Sequence, residues 1–181
     1  MRKNIIYSLL LVVAALFAGC ESRLDIEKHG NMGDQNDFYQ TDEQTEQAVA
    51  SMYSSLKGLY FNWFFTKNVL SDDVWCGGGQ RGDNTSLEQL NEYTYGTDNG
   101  MIQGVFSGLY GLIYQSNLVI EKVADDTPAK ERAIAEAKFF RAWANFELVT
   151  LWGTAPLVDH LLKPGEYRQG NSTPEALWAA V

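Results

Sequence analysis

The chain has 181 residues, 45% of them hydrophobic, and a formal net charge of −9 at pH 7. So acidic a chain is a poor partner for nucleic acid and for anionic lipid headgroups, whereas neutral ligands such as sugars or peptides remain open. Cysteine occurs twice, at Cys20 and Cys76, which is too few for a disulfide framework.

The first twenty residues predict export and lipid attachment. Arg2 and Lys3 precede an apolar run over residues 5–17, which is shorter than the roughly 20 residues that a membrane-spanning helix needs. Its length is typical of a secretory signal. The run ends in small residues before Cys20 and resembles the lipobox of bacterial lipoproteins, although Phe17 is bulky for that motif. We therefore expect residues 1–19 to be a signal peptide and Cys20 to carry lipid; the alternative is an ordinary signal peptide with a cysteine nearby.

A polar tether, residues 20–40, follows the lipidated Cys20 and leads to the first helix. Removing residues 1–19 takes away two basic side chains and no acidic one, so the remaining chain is more acidic still. Thr41 and Gln44 have the spacing of a capping box, which predicts that a helix begins there. Apolar residues then recur at helical spacing and should face a core; they are Ala48, Val49, Met52, Tyr53, Leu56 and Tyr60.

A second, aromatic-rich helical stretch is predicted over residues 61–70. The next fourteen positions, 71–84, are rich in glycine and acidic residues and show no apolar period, so we expect a loop. Cys76 lies in this loop. With Cys20 lipidated it has no intramolecular partner, and we expect a small buried apolar residue there and not a reactive thiol.

Two long amphipathic helices are predicted between Gly100 and Trp152. Thr127 and Pro128 provide an N-cap and a first-turn proline for the second helix, and Gly153 provides its stop. The short connection between the helices predicts an antiparallel helical hairpin. With no alternating strand pattern elsewhere, the sequence predicts a mostly all-α fold.

The last residues predict a further N-cap and proline, at Thr173 and Pro174. The helix that they open has hardly begun at Val181, and we expect Leu177 and Trp178 to find little to pack against. The sequence therefore reads as a fragment of a longer protein, with a naturally frayed terminus as the alternative.

Residues 135–158 resemble the most recognisable stretch of the SusD/RagB family, in which a helix bearing Ala-Glu-Ala, Phe and Arg-Ala leads to Trp-Gly and a proline. Residues 113–120 and the lipobox are similar to the family as well. The resemblance covers the whole chain after the signal peptide but only the N-terminal portion of a family member, with residues 41–181 as an incomplete helical region. It implies tetratricopeptide-like helical hairpins, with residues 101–152 in the scaffold that contacts the transporter. Arg141, flanked by Phe140 and Trp143, is expected to be structural, its charge paired inside the helix stack; the alternative is a role in ligand binding.

The same resemblance implies a role at the cell surface. Family members sit on a TonB-dependent outer-membrane transporter of the SusC type and capture oligosaccharides, or in some members peptides. The expected location is the outer membrane, lipid-anchored and facing the exterior. The alternative function is a tetratricopeptide-type lipoprotein scaffold in envelope assembly without a small-molecule site.

In sugar-binding members, the loop after the second helix contributes to the ligand site, which here places it in residues 71–84. An aromatic platform and polar partners for hydroxyl groups are what a sugar requires. The candidate ligand-binding residues are Asp72, Asp73, Trp75, Gln80, Arg81 and Asn84. The alternative is a flexible surface loop whose Trp75 tucks into the core.

Signals for catalysis are weak, so the sequence predicts no enzyme, no cofactor and no metal site. His29 and His160 lack the spacing of metal ligands. No serine lies in a Gly-x-Ser-x-Gly elbow. Asp72 and Asp73 are adjacent and diverge, whereas a glycosidase needs two carboxylates that flank the scissile bond.

Overall fold

The computed structural model of the protein describes residues 38–181. Five α-helices follow one another there: α1 (Asp42–Val69), α2 (Thr85–Asn91), α3 (Gly100–Lys122), α4 (Pro128–Trp152) and α5 (Pro174–Ala179). β-Pairing in this range amounts to one isolated antiparallel bridge between Ala155 and Ser172, so the mostly all-α prediction is confirmed. The predicted signal peptide (1–19), Cys20 and nearly all of the tether lie outside the described residues.

Helix α1 begins as predicted but is longer than predicted. The Thr41 hydroxyl accepts a hydrogen bond from Gln44 N at 3.2 Å, and Gln44 Oε1 accepts one from Thr41 N at 3.1 Å, which completes the capping box. The prediction of a separate helical stretch from residue 61 was wrong, because α1 runs unbroken to Val69. A single glycine, Gly58, lowers helix propensity by about 1 kcal/mol and does not break this helix.

The predicted hairpin is confirmed as α3 and α4. The Thr127 hydroxyl caps α4 by accepting a hydrogen bond from Lys130 N at 3.3 Å. Pro128 occupies the first helical turn, where its missing N–H costs nothing. Gly153 ends α4 with a φ of 72°, a positive value that favours glycine.

Helix α1 packs against both arms of this hairpin and closes a three-helix core. Met52 of α1, Leu109 and Ile113 of α3, and Ala144 and Leu148 of α4 are almost completely buried. The apolar face of α1 is narrower than the sequence predicts. Ala48 and Met52 are buried as expected, whereas Tyr53 and Tyr60 are more than half exposed.

Glycine lets α1 and α3 approach closely. A Cβ added to Gly108 would lie 2.7 Å from Leu59 Cδ1, and Leu59 is itself buried. The space at Gly104 is smaller still, since a Cβ added there would lie 2.1 Å from Asn62 Nδ2. Gly111, on the same helix, has open space at its Cβ position.

The segment after Gly153 is fastened onto the hairpin by polar groups. The Tyr110 hydroxyl on α3 donates to the Pro156 carbonyl at 2.6 Å. Within the segment, Ala155 pairs with Ser172. The first contact ties the segment to the hairpin, and the second joins its two ends before α5 begins.

Helix α5 corrects an expectation. Leu177 is 0% exposed and belongs to the main core, so it does find packing partners there. Trp178 is half exposed and contacts the ring of Phe146, at 5.8 Å between ring centroids.

Within residues 38–181, Arg141 binds an amide and a backbone carbonyl and not the carboxylate inside the helix stack that was expected. Its Nη1 donates to Asn117 Oδ1 at 2.8 Å and to the Asp159 carbonyl at 2.6 Å. Asn117 Nδ2 in turn donates to the carbonyls of Val158 and His160 at 3.3 and 3.0 Å. Together the two side chains anchor the segment after α4 at the edge of the stack.

None of the helices between residues 38 and 181 combines the length and the apolar character needed to cross a bilayer.

Candidate functional site

Trp75 is the most exposed large hydrophobic side chain among those of residues 38–181, at 80%. It lies in the stretch between α1 and α2, residues 70–84, which we call the Trp75 loop. The alternative in which Trp75 tucks into the core is therefore wrong. Exposing an indole ring to water is unfavourable, which makes this side chain a candidate for ligand contact.

Helix α2 fixes the backbone on both sides of Trp75. Asn91 Nδ2 donates to the Val74 carbonyl at 3.1 Å, and Asn91 Oδ1 accepts from Cys76 N at 3.2 Å. One amide side chain thus provides hydrogen-bond partners for the backbone of the residues before and after Trp75. The ring is presented from a backbone that is held in place.

Arg81 and Glu92 tie the middle of the loop to the end of α2. Nη1 and Nη2 of Arg81 donate to Oε1 and Oε2 of Glu92 at 2.5 and 2.8 Å. These hydrogen bonds raise the pKa of Arg81 and lower the pKa of Glu92, so both groups are charged.

Glu88 provides a second attachment of α2 to the loop. Its Oε1 accepts a hydrogen bond from Gly82 N at 2.7 Å. Gly82 has a φ of 94°, a conformation that L-residues with a side chain rarely adopt. The loop therefore needs glycine at this position to present its N–H to Glu88.

Tyr93, in the turn after α2, holds the start of the Trp75 loop. It is a non-glycine residue with a φ of 55°, which is uncommon and costs some strain. Its hydroxyl donates to the Leu70 carbonyl at 2.7 Å and lies 3.5 Å from Asp72 Oδ1. The turn after α2 thus holds the first residue of the Trp75 loop.

The glycine-rich part of the loop folds tightly around Asp83. Asp83 Oδ2 accepts a hydrogen bond from Gln80 N at 3.0 Å. A Cβ added to Gly78 would lie 3.0 Å from the same oxygen, and one added to Gly79 would lie 3.3 Å from it. The absence of side chains at these glycines lets the turn close around Asp83, since a Cβ at either position would crowd its carboxylate.

A small apolar cluster supports the loop from below. Its buried members are Val69, Leu87, Leu90 and Met101. Cys76 packs against this cluster and is half-buried, as an apolar residue would be. Burial raises the pKa of the Cys76 thiol, which disfavours the reactive thiolate.

These contacts leave a shallow depression of about 240 Å³ beside Trp75. Its lining consists of Trp75, Cys76, Gly77, Gly78, Gln80, Arg81, Glu88, Asn91 and Glu92. The volume is below the roughly 300–1,000 Å³ of an enclosing small-molecule pocket. A ligand would therefore lie across the surface, with one face on the indole.

The six residues predicted from the sequence separate into three groups. Trp75, Gln80 and Arg81 come together in the lining of the depression. Asp72 and Asp73 are exposed on the loop but do not line it. Asn84 caps α2, because its Oδ1 accepts a hydrogen bond from Leu87 N at 3.2 Å.

Sequence reasoning missed the contribution of α2, namely Glu88, Asn91 and Glu92. The available signal was Asn84 as an N-cap residue, followed by Leu87 and Leu90 at a spacing of three. Within residues 38–181, no three His, Cys, Asp or Glu side chains converge in a way that could hold a metal ion.

Comparison with known proteins finds one family throughout. Residues 26–166 match a SusD-like family model described as starch-binding and associating with the outer membrane. A SusD-like protein of Bacteroides ovatus is 32% identical over 166 residues, which cover 84% of this chain and 29% of that protein. SusD-like protein P38 of Formosa agariphila is 28% identical over 156 residues, which cover 86% of this chain and 30% of that protein. The chain thus spans about a third of the length of these relatives.

Two solved structures share the fold. A laminarin-binding SusD-like protein superposes with a TM-score of 0.68 at 24% identity, over 78% of this chain and 32% of that one. A SusD superfamily protein from Bacteroides vulgatus superposes with a TM-score of 0.67 at 21% identity, over 79% of this chain and 33% of that one.

Proposed function

Because this chain belongs to the SusD-like family, we propose that it binds a nutrient oligosaccharide at the cell surface and hands it to a transporter without transforming it. The family model is described as starch-binding, and one structural neighbour is laminarin-binding. Both names concern polymers of glucose.

The observation that carries this proposal is the exposed indole of Trp75 above a depression lined by amide, carboxylate and guanidinium groups. The apolar C–H face of a sugar ring packs on an aromatic face, while its hydroxyls pair with polar side chains. Because α2 holds the Trp75 loop at several points, little conformational entropy is lost when a ligand binds. These features support ligand capture by a preformed surface.

Affinity for a ligand without turnover is the first expectation. We would incubate the full-length protein with laminarin and with soluble starch, measure retardation in affinity gels that contain each polymer, and follow reducing ends over a day. Retardation without new reducing ends would support a binding protein. Release of reducing ends by the purified protein would contradict the proposal.

Attachment to the membrane through Cys20 is the second part of the proposal. Acyl chains contribute about 0.8 kcal/mol per buried methylene, so two or more hold a protein on a bilayer. The expected result is that cells fed a labelled fatty acid label the wild-type protein and fail to label the Cys20→Ala variant. Whole-cell protease treatment would then test whether the protein faces the exterior.

A TonB-dependent transporter of the SusC type is the proposed partner, contacted through the α3–α4 hairpin. The test is to tag the full-length protein, solubilise outer membranes gently and identify the proteins that co-purify. A TonB-dependent barrel in near-equal amount would support the proposal. Recovery of periplasmic assembly proteins without such a barrel would contradict it and favour the envelope scaffold.

A further inference from the structure

The charged residues of the stretch that carries Trp75 and α2 have almost all the same sign. Between positions 71 and 99 the sequence has six carboxylates and one basic residue, Arg81. Arg81 is paired at two points with Glu92, which also lines the depression, so this pair contributes no net charge. The remaining charged group in the lining is the carboxylate of Glu88.

Further carboxylates lie on the same loop. Asp72 and Asp73 are exposed on the first half of the Trp75 loop, and Asp83 lies in its second half. The Asp83 carboxylate accepts a backbone hydrogen bond from Gln80, and that of Glu88 accepts one from Gly82. A backbone N–H leaves the negative charge of a carboxylate in place, so the surface beside Trp75 carries an excess of negative charge.

The carboxylates beside Trp75 impose the same bias on the hydrogen bonds of a ligand. A carboxylate only accepts hydrogen bonds, so it needs a partner that donates. Sugar hydroxyls donate, whereas sulfate esters and uronate carboxylates only accept and are negative as well. Arg81, the guanidinium that would bind such an anion at two points, already uses that geometry on Glu92.

We propose that the depression beside Trp75 selects glycans by charge, binding uncharged glycans and excluding sulfated and uronate glycans. This inference rests on the proposed function and adds the class of ligand. Like charges brought together across an interface weaken the wrong partner. We expect an acidic glycan to bind at least about tenfold more weakly than its uncharged counterpart at low salt.

Salt separates this repulsion from a difference in shape. Screening shortens the range of the interaction from about 30 Å at 0.01 M salt to about 3 Å at 1 M. The affinity for an acidic glycan should therefore rise with salt, while the affinity for an uncharged glycan should stay nearly constant. A steric exclusion would show no such dependence.

The test compares a panel of uncharged polysaccharides with a panel of acidic ones, with laminarin and sulfated laminarin as the matched pair. The full-length protein is titrated against each at 0.01 M and at 1 M salt. We expect the tightest ligand to be uncharged and the sulfated form to gain affinity at high salt. The Glu88→Gln variant keeps an acceptor for Gly82 N and should narrow the difference at low salt.

Failure of this inference and failure of the proposed function give different results. An acidic polysaccharide as the tightest ligand, or discrimination that is unchanged in Glu88→Gln and at 1 M salt, would overturn charge selection and leave glycan binding intact. The absence of binding to every polysaccharide in both panels would overturn the proposed function, and charge selection with it.

Discussion

Arg81 and Glu92 form a two-point ion pair, with nitrogen–oxygen distances of 2.5 and 2.8 Å, that joins the Trp75 loop to the end of α2. Most of the Arg81 side chain is exposed to solvent, and exposed ion pairs contribute little to global stability. The role of the Arg81–Glu92 pair is to position the loop, because it fixes the loop relative to α2. Changes at Glu92 should therefore affect ligand binding more than folding.

The Glu92→Gln substitution tests this positional role. We expect the affinity for an uncharged polysaccharide to fall several-fold, because the loop loses one of its charged attachments, while the urea midpoint hardly changes. Glu46→Gln is the control, since Glu46 also forms an exposed arginine–glutamate ion pair, with Arg132, away from the Trp75 loop. Equal effects of the two variants on binding would contradict a role for the Arg81–Glu92 pair in the site.

A second prediction concerns the pair between Lys67 and Glu147, which joins α1 to α4. Lys67 Nζ lies 2.9 Å from Glu147 Oε2 and 5.0 Å from the centroid of the Trp63 ring. Glu147 is only 2% exposed, so the Lys67→Met substitution would leave a buried carboxylate without its partner. We expect the free energy of unfolding to fall by about 2–3 kcal/mol, measured by urea denaturation.

Lys57→Met is the control for that loss, because Lys57 lies on the exposed side of the same helix. Its effect should stay within about 0.5 kcal/mol. A similar stability for the two variants would show that Lys67 does not compensate the charge of Glu147.

The close approach of α1 and α3 gives a third prediction. Replacing glycine by alanine within a helix stabilises by up to about 1 kcal/mol. Gly111→Ala should show this gain, because its Cβ would enter open space. Gly108→Ala should instead be less stable than Gly111→Ala by about 1–3 kcal/mol, since its Cβ would meet buried Leu59. Thermal unfolding of both variants measures the difference, and equal melting temperatures would contradict the tight contact.

These cases show what could be predicted from the sequence. Helix starts and stops depend on adjacent residues, so Thr41, Thr127 and Gly153 were predicted correctly. Helix α2 was missed because its seven residues contain only two buried apolar side chains, too few for a helical period to be recognised. The unbroken α1 was missed because the contacts that stabilise it come from α3 and α4, which local sequence does not report.

The candidate site was predictable only in part, and for the same reason. The polar character of the loop follows from composition, whereas the exposure of Trp75 does not, since the sequence also allowed Trp75 to tuck into the core. The hydrogen bonds between Asn91 and both neighbours of Trp75 join two segments that are fifteen or more residues apart along the chain. No local pattern specifies such a contact, so the site residues on α2 required the structure.

A fourth prediction concerns pH. His160 Nδ1 lies 2.7 Å from Asp159 Oδ1, and Nε2 lies 3.3 Å from Glu166 Oε2. Hydrogen bonds to Asp159 and then to Glu166 raise the pKa of His160 above its usual 6.5. Other charged groups also act on this segment: Arg141 binds the Asp159 carbonyl, and Glu121 accepts a hydrogen bond from Leu161 N.

The direction of the pKa shift determines how the stability contributed by His160 changes with pH. A raised pKa means that His160 stabilises the fold fully below pH 6.5, and that this contribution is lost as the pH rises through the folded-state pKa. The pKa values of Asp159 and Glu166 are lowered, so their contributions are lost only as the solution becomes acidic. A proton NMR titration, with His160→Gln to assign the signal, should give a midpoint above 6.5. A midpoint at or below 6.5 would contradict the paired geometry.

The most direct test of the account is the affinity of the Trp75→Ala variant for the uncharged polysaccharide that the wild-type protein binds most tightly. Tyr167→Ala is the matched control, because Tyr167 is a loop aromatic that is 68% exposed and lies outside the lining of the depression. Isothermal titration calorimetry should show a loss of about tenfold or more for Trp75→Ala and little change for Tyr167→Ala. Wild-type affinity in the Trp75→Ala variant would contradict the Trp75 loop as the site of ligand capture.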